Sequence, residues 1–291
     1  MSSLQIDPLV PVGHATSELG ESPQWDPAGH RLAYVDIVAG ALTVVDAVGE
    51  QTRRVVDGSL TAIALRQGGD GWVAATDSSV GVIENWRFEA RAELPLLPGT
   101  RLNDAMCDAR GRLWVGSMSV NDDRRGRLFR VDPDWNVTVI DSGFNLCNGI
   151  GVSPNGEHFY LVDSRPGVVW MWDFDVEDGR LRNRRRFTGR LGAGIPDGLA
   201  VDAEGRLWIA FVGAGALRVF APDGSLEAEV VAPVSQPTCP AFGGADRSRL
   251  YVTSAWIGLG DSQRAVDPLA GRLFAAQTGT VGAPVYRARH A

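Results

Sequence analysis

The chain has 291 residues, of which 44% are hydrophobic and 22% charged, a composition typical of a globular protein. Its net charge of −7 disfavours a nucleic-acid partner, because nucleic acids are bound by basic faces. The sequence has no apolar run near the roughly 20 residues of a membrane span, and its first residues lack the basic start and apolar core of a signal peptide. We therefore expect a cytoplasmic protein that does not bind a membrane.

Six short apolar segments recur along the chain and predict strands. They lie at residues 32–36, 72–75, 113–116, 159–163, 207–210 and 250–253. Their first positions are 40, 41, 46, 48 and 43 residues apart. A repeat of ~40–50 residues with four strands in each unit is typical of a β-propeller. We therefore predict an all-β fold, a six-bladed β-propeller with four-stranded antiparallel blades around a central channel.

The organisation of the chain follows from this repeat. No linker or change of composition divides it, so residues 1–291 are predicted to form a single domain. The N-terminal segment near Leu9 to Ala15 is predicted to complete the last blade and so join the two ends of the chain. Tryptophans stand at equivalent strand positions, as at Trp114 and Trp208, and are expected to pack between blades.

A repeated β-hairpin pattern adds polar side chains to this scaffold. Residues 195–210 predict a loop around Asp197, then a hairpin whose turn ends at Gly205, a residue free to adopt a positive φ. The same pattern recurs at residues 103–115 and 148–160. In each copy a carboxylate or an amide is predicted to stand just before the first strand. Because the first strand of every blade lines the channel, these side chains are expected to converge at one mouth.

Four blades carry an oxygen-bearing side chain at this position, namely Glu21, Asn103, Asn148 and Asp197. Two carboxylates and two amides suit Ca²⁺ best, and Mg²⁺, Mn²⁺ or Fe²⁺ less well. Zn²⁺ is less favoured, because the histidines are scattered and the cysteines form no cluster. Asn-Gly and Asp-Gly are also turn signals, so Asn148 and Asp197 taken singly fit turns better than ligands. Their common register in four blades favours a shared site for one divalent cation.

Other chemistries find little support. The chain has no G-x-S-x-G elbow and no P-loop motif, and residues 213–215 fit a hairpin turn better than a dinucleotide fingerprint. Cys107, Cys147 and Cys239 are odd in number and form no C-x-x-C, so we expect free buried thiols. Cys147 adjoins Asn148 but has no nameable histidine partner, so its role is expected to be structural. The basic run at residues 184–186 is expected on an outer, solvated strand.

An ordered set of motifs resembles the SMP-30/gluconolactonase/luciferin-regenerating-enzyme family. The motifs are Gly20-Glu21-Ser22-Pro23 with Trp25, Arg101-Leu102-Asn103-Asp104, Asn148-Gly149, Ile195-Pro196-Asp197-Gly198 with Asp202-Ala203-Glu204-Gly205-Arg206-Leu207-Trp208, and Ala241-Phe242-Gly243-Gly244 before Leu250-Tyr251-Val252-Thr253-Ser254-Ala255. They cover nearly the whole chain in order. The resemblance implies a six-bladed propeller that holds one divalent metal ion in its channel.

The resemblance also implies roles for individual residues. Glu21, Asn148 and Asp197 would bind the metal ion, and Asp197 would also act as the catalytic acid/base. Asn103 would contact the metal or the substrate, and Arg101 would bind substrate hydroxyls. Apart from Arg101, which enters only through the resemblance, these are the residues that the hairpin pattern singled out.

One departure from the family concerns substrate preference. Regucalcin-like members carry a sugar-binding Glu shortly after the motif that matches residues 116–118, whereas this chain has Ser119, Val120 and Asn121 there. Asn121 could replace that contact. The sugar preference of those members is therefore not carried over to this chain.

The function predicted from the sequence is metal-dependent hydrolysis of a small-molecule sugar lactone. In this hypothesis the cation, Ca²⁺ first and Mg²⁺, Mn²⁺, Fe²⁺ or Zn²⁺ after it, polarises the lactone carbonyl, and Asp197 takes a proton from water. No obligatory protein partner is inferred. Two alternatives stay open, namely a non-enzymatic calcium-binding regulatory or interaction propeller, and a hydrolase of another ester such as a non-sugar lactone or an organophosphate.

Overall fold

The structure is a computed structural model that describes residues 4–56, 58–68, 71–121, 123–189 and 191–290. Strands in these ranges form six separate four-stranded antiparallel sheets arranged around a common axis. This architecture confirms the predicted six-bladed β-propeller. The helix α1, Asp261–Val266, lies between the last two strands of the chain. No helix in the described ranges is long and apolar enough to cross a membrane.

The first three blades take their strands in chain order from the channel outward. Blade 1 contains β2 Gly20–Asp26, β3 Arg31–Asp36, β4 Ala41–Val45 and β5 Gln51–Val55. Blade 2 contains β6 Ala62–Leu65, β7 Trp72–Ala75, β8 Ser79–Glu84 and β9 Arg87–Glu93. Blade 3 contains β10 Thr100–Cys107, β11 Leu113–Ser119, β12 Gly126–Val131 and β13 Val137–Phe144.

The remaining blades follow the same order, except that the last one borrows a strand from the start of the chain. Blade 4 contains β14 Cys147–Val152, β15 His158–Asp163, β16 Val168–Asp175 and β17 Arg180–Arg186. Blade 5 contains β18 Ile195–Val201, β19 Leu207–Val212, β20 Ala216–Phe220 and β21 Leu226–Val231. Blade 6 contains β22 Pro237–Gly243, β23 Arg249–Ser254, β24 Leu273–Gln277 and β1 Val10–Val12.

The ring is closed at two radii. The innermost strands of neighbouring blades contact one another all the way round, and the last contact joins β22 to β2. At the outer edge, β1 pairs with β24 through the register Val10 to Ala275, which makes the N-terminal strand the fourth strand of blade 6. The six apolar segments singled out in the sequence all lie in the second strands of the blades, where both faces of the sheet are covered by neighbouring blades.

A buried aspartate explains why the hairpin pattern recurs. Asp202 Oδ1 accepts hydrogen bonds from the backbone of Glu204 (3.0 Å) and Arg206 (2.9 Å), which fixes the turn. Its Oδ2 accepts from Arg206 Nε (2.6 Å) and from the indole Nε1 of Trp208 (3.0 Å). Asp108 repeats these contacts two blades earlier, in blade 3, where it holds Trp114. The tryptophans are fully buried, as predicted, and each also donates a hydrogen bond to its own turn.

The basic run lies on β17, the outermost strand of blade 4, but it is not simply solvated. The guanidinium of Arg184 lies 4.0 Å from the ring centroid of Trp170 and 4.3 Å from that of Phe144. It also pairs with Asp141 at 3.4 Å. Arg184 therefore packs against the neighbouring blade, and the prediction of a solvated run was wrong for this side chain because its apolar stem and flat head cover aromatic surface.

The C-terminal residues 278–290, here called the C-terminal strap, cross the end of the propeller where the first hairpin turns lie. The N–H of Ala283 donates to Val201 O (3.0 Å) in blade 5, and the N–H of Ala288 donates to Leu65 O (2.7 Å) in blade 2. Arg287 pairs with Asp26 of blade 1 at 2.6 Å. The strap thus ties together blades that are far apart in sequence.

Candidate active site

The polar residues that the sequence placed before the first strands lie inside those strands. In five of the six innermost strands the pairing register shifts at the same height. The shifts lie between Glu21 and Gln24, Leu102 and Ala105, Asn148 and Ile150, Pro196 and Leu199, and Pro237 and Pro240. The prediction of loops at these points was therefore wrong. Such bulges interrupt the ladder and redirect side chains, which is why they are frequent beside active sites.

Hydrogen bonds between neighbouring blades hold the bulges in place. In blade 1, Ser22 has a positive φ of 49°, and its Oγ donates to Ile63 O (3.2 Å) and accepts from Ile63 N–H (3.0 Å) in blade 2. In blade 6, Thr238 Oγ1 donates to Gly20 O at 2.5 Å, directly before Glu21. The strained backbone beside Glu21 is thus held from both sides, as is typical of functional sites.

Three buried carboxyl groups meet in the centre of the ring, on Glu21, Asp104 and Asp197. Burial raises the pKa of Glu21 well above its ordinary value, and the neighbouring Asp197 and Asp104 raise it further. Burial and the charge of Asp104 likewise raise the pKa of Asp197, against hydrogen bonds from Asn148 and Glu21. Burial raises the pKa of Asp104 to about 6. The protein alone therefore leaves these charges short of compensation.

The NH₂ groups of the two predicted amides are engaged by protein oxygens. Asn103 Nδ2 donates to Cys147 O at 3.0 Å, and Asn148 Nδ2 donates to the buried hydroxyl of Ser164 at 3.1 Å. A fixed NH₂ group fixes the direction of the carbonyl on the same amide. The Oδ1 atoms of Asn103 and Asn148 are therefore the parts of these side chains left to serve a ligand.

Arg101 supplies the positive charge of the site. Its Nη1 donates to Leu102 O at 2.8 Å, and the guanidinium lowers the pKa of Glu21. Burial lowers the pKa of Arg101 itself, while Asp77 and Glu21 raise it. A half-buried guanidinium beside a cluster of carboxyl groups can bind hydroxyl or carbonyl oxygens of a ligand in a fixed fork.

Asn121 lies farther out than the other predicted residues. It is exposed on the loop between β11 and β12, and its backbone N–H donates to Ser119 Oγ at 3.3 Å. Its side chain faces Gly99, two residues before Arg101. The structure thus brings Glu21, Asn148 and Asp197 together and places Asn121 at the rim on the side of Arg101.

Asp104 is the functional candidate that the sequence analysis missed, although it stands in the quoted motif beside Asn103. In a regular strand, neighbouring side chains point to opposite faces, so one of the two would leave the channel. The bulge between Leu102 and Ala105 breaks that alternation and keeps both in the central ring. The signal available in the sequence was the pair of adjacent polar residues, Asn103 and Asp104, at the start of a predicted strand. Two polar neighbours can face the same side of a sheet only where a bulge interrupts the strand.

The donor set fits a hard divalent cation. Within the described ranges, no three side chains of His, Cys, Asp or Glu are arranged as a metal cluster. The candidate ligands are instead mixed, with carboxylates on Glu21 and Asp197 and an amide on Asn148. Oxygen donors of this kind are preferred by Ca²⁺ and Mg²⁺. Buried carboxyl groups with raised pKa values also favour the arrival of positive charge.

A cavity of about 160 Å³, here called the lower chamber, lies in the channel beneath the ring of bulges. It is lined by the later residues of the innermost strands and by residues 283–286 of the C-terminal strap. Asp104 is the one of the three central carboxyl groups that lines it, and Cys239 lines it as well.

The three cysteines are free, as predicted, and Cys147 and Cys239 are buried, whereas Cys107 is only partly buried. Cys147 is fully buried, and its Sγ lies 3.7 Å from Arg127 O in the core between blades 3 and 4. Burial raises the pKa of Cys147 and of Cys239 well above the ordinary value. A raised pKa disfavours the thiolate form of both, and Cys147 packs in the hydrophobic core with Trp114 and Phe144.

Comparisons with known proteins agree with this architecture. The profile described as SMP-30/Gluconolactonase/LRE-like region matches residues 19–256. Regucalcin of Danio rerio is 32% identical over 295 residues, which cover 98% of this chain and 99% of that protein. Pentonolactonase XacC of Haloferax volcanii is 31% identical over 275 residues, which cover 92% of this chain and 94% of that protein.

A solved structure has the same fold. The calcium-binding protein regucalcin from Agrobacterium tumefaciens superimposes with a TM-score of 0.88 at 29% identity, covering 96% of this chain and 98% of that one. The family profile spans most of the chain, including Glu21, Asn103, Asn148 and Asp197. The chain therefore belongs to the SMP-30/gluconolactonase/LRE-like family, as its motifs predicted.

Proposed function

We propose that this protein is a divalent-metal-dependent hydrolase that opens a sugar lactone. The observation that carries the proposal is the convergence of Glu21, Asn148 and Asp197 with Asn103 and Arg101 at one height of the channel. The 31% identity to a pentonolactonase along most of both chains supports the choice of substrate class.

In this proposal Glu21, Asn148 and Asp197 hold the cation, with Asn103 beside them. When bound, the cation polarises the lactone carbonyl and stabilises the developing oxyanion. Ca²⁺ is our first choice, since the Agrobacterium relative is described as calcium-binding, and Mg²⁺, Mn²⁺, Fe²⁺ or Zn²⁺ follow.

Asp197 is proposed to move the proton. Its carboxylate takes a proton from a water molecule whose oxygen attacks the carbonyl carbon. The ring C–O bond then breaks, and Asp197 returns the proton to the leaving ring oxygen. Burial and the charge of Asp104 raise the pKa of Asp197, which favours the protonated form from which the proton is returned.

The remaining residues are proposed to orient the substrate. Arg101 donates hydrogen bonds to sugar hydroxyls from its fixed position beside Leu102 O. Asn103 presents its carbonyl because its NH₂ group is held by Cys147 O. Asn121 contacts the distal hydroxyls from the rim, where an amide in place of an acid alters the preference among sugars.

The proposal is tested by titrating acid release from a panel of sugar lactones, together with a non-sugar lactone and an organophosphate. We expect release above the spontaneous rate with a sugar lactone, loss of that rate with EDTA, and a loss of at least ~10²-fold in Asp197→Asn. Asp246→Asn, an exposed turn acid that bonds Ser248, is the control and should keep the wild-type rate.

Each outcome has a meaning. Unchanged hydrolysis by Asp197→Asn would refute the proposed role of that residue. Hydrolysis of only the non-sugar lactone or the organophosphate would replace the substrate class. Cation binding with no turnover of any ester would favour the calcium-binding propeller instead.

A further inference from the structure

Asp104 lies in the central ring, but the proposed function gives it no role. Its Oδ1 accepts a hydrogen bond from the N–H of Ala105 at 2.7 Å, and the N–H of Ile150 also donates to its carboxylate. Ile150 follows the bulge of β14 and stands two residues after Asn148. Asp104 therefore fastens the bulge of blade 3 to that of blade 4, next to a candidate metal ligand.

The charges of the ring show what Asp104 adds. Glu21, Asp104 and Asp197 carry three negative charges when ionised, and Arg101 carries one positive charge. The sum is −2, carried by three buried carboxyl groups and one partly buried guanidinium. Uncompensated charge is costly to bury, and one divalent cation would neutralise this sum. Without Asp104 the same ring would carry only −1.

Asp104 differs from the assigned ligands in what surrounds its carboxylate. It lines the lower chamber, and its Oδ1 is engaged by the backbone of Ala105. Its charge can therefore act on a cation in the ring from below while its oxygens remain bonded to the protein. Partners behind the ligands of a metal site commonly set its affinity in this way.

We propose that Asp104 is a positioning residue of the candidate metal centre that completes the −2 charge matched by a divalent cation and anchors the strand that presents Asn148. This inference rests on the metal site of the proposed function, but not on lactone hydrolysis. It concerns the affinity for the cation alone.

The test is titration calorimetry of chelator-stripped full-length protein with CaCl₂. Asp104→Asn keeps an oxygen that can accept the N–H of Ala105 but removes the charge, and we expect it to bind Ca²⁺ about 10–100-fold more weakly than the wild type. Glu89→Gln makes the same charge change on the exposed outermost strand of blade 2 and should leave the affinity unchanged.

A second variant tests the charge balance from the other side. Arg101→Gln raises the negative sum to −3, so we expect tighter Ca²⁺ binding, and the double variant Arg101→Gln/Asp104→Asn should return toward the wild-type affinity. A purely structural role of Asp104 would not produce this compensation. Arg101→Gln also keeps the test informative if Asp104→Asn fails to fold, a condition that thermal unfolding of each variant identifies.

The outcomes separate this inference from the proposed function. Unchanged Ca²⁺ affinity in a folded Asp104→Asn, weaker binding in Arg101→Gln, or no Ca²⁺ binding by the wild type would each overturn the role given to Asp104. Weaker binding by Asp104→Asn in a wild type that hydrolyses no lactone would uphold it while refuting the function.

Discussion

Gly149 offers the sharpest test of how the scaffold sets the site. It follows Asn148 in β14 and faces the backbone of β18 beside Asp197. A Cβ atom at Gly149 would lie 2.6 Å from Leu199 N and 2.7 Å from Asp197 O. The φ of Gly149 is not positive, so alanine would meet no backbone strain of its own. The whole effect of Gly149→Ala is therefore steric and acts on the strand that carries Asp197.

The size of the effect follows from these distances. The two strands would have to separate by about 0.8 Å before the contact lengthens from 2.6 Å to the 3.4 Å of ordinary van der Waals contact. A displacement near 1 Å of groups that must act together can cost about 10²-fold in rate. Overpacking of this kind costs about 1–3 kcal/mol of stability. We therefore expect Gly149→Ala to fold, to lose about 10²-fold in kcat/KM for a sugar lactone, and to bind Ca²⁺ more weakly.

The assay compares kcat/KM and the free energy of unfolding with those of Gly151→Ala. Gly151 lies on the same strand, and a Cβ atom there would meet Leu199 Cδ1 at 2.6 Å and Val201 Cγ2 at 3.0 Å. These are ends of side chains that can rotate away, so this variant should lose stability without a comparable loss of rate. Equal losses of rate in the two variants, or a wild-type rate in Gly149→Ala, would refute the claim that backbone spacing sets the site.

Three further expectations concern stability and one concerns the cation. Asp36 accepts hydrogen bonds from Arg53 (2.7 Å), and this side chain and backbone donors hold its pKa below the ordinary value in spite of burial. Asp36→Asn should therefore cost about 1–3 kcal/mol at pH 7, a difference that disappears as the pH falls from about 4 through the lowered pKa, in urea unfolding at each pH. Ala288→Asp would bury a charge under the fully buried face of the strap, cost about 3 kcal/mol and speed tryptic cleavage within the strap, as followed by mass spectrometry. Trp208→Phe removes the indole donor of Asp202 and should cost about 1–3 kcal/mol in the same unfolding assay. A cation present at 100 times its dissociation constant should add about 2.7 kcal/mol, and EDTA should abolish that gain in thermal unfolding.

Each of these expectations has a matched control. A cost of Asp36→Asn that persists undiminished at pH 2 would show that its charge is not the source of stability. Val266→Asp adds a charge at a position that is 84% exposed and should leave trypsin sensitivity unchanged. Trp25→Phe, at a buried indole whose Nε1 has no acceptor in the described residues, should cost less than Trp208→Phe. A Tm unaffected by EDTA would speak against a resident cation.

The second strands of the blades could be predicted from the sequence because their apolar runs are bounded by clear turn residues. The buried Asp202 and Asp108 that hold these turns act over at most six residues, so their effect is local. Turns that are fixed by such local hydrogen bonds form in the structure where the sequence predicts them. The repeat they create was sufficient to predict the number of blades.

The innermost strands of the blades were harder to predict from the sequence, because their polar segments contain residues typical of turns. Pro196 and Gly198 are typical of loops, yet β18 continues through both. Each innermost strand is covered by two neighbouring blades, and that packing overrides the local preference. The strap was not predicted for a related reason. Residues 278–290 show no strand alternation, and their course depends on a surface that exists only after the blades have assembled.

The ring of bulges connects the fold with the proposed chemistry. A regular ladder would satisfy more backbone hydrogen bonds, so five register shifts at one height are a cost that the fold alone does not require. The exception is informative. Strand β6 pairs regularly from Ala62 to Leu65 and contributes no carboxylate or amide, whereas the four blades with a candidate site residue are all bulged. Strand β22 is bulged as well but presents Thr238 and Cys239, so a bulge accompanies every polar donor without being sufficient for one. In β10 the bulge brings in Asp104 together with Asn103.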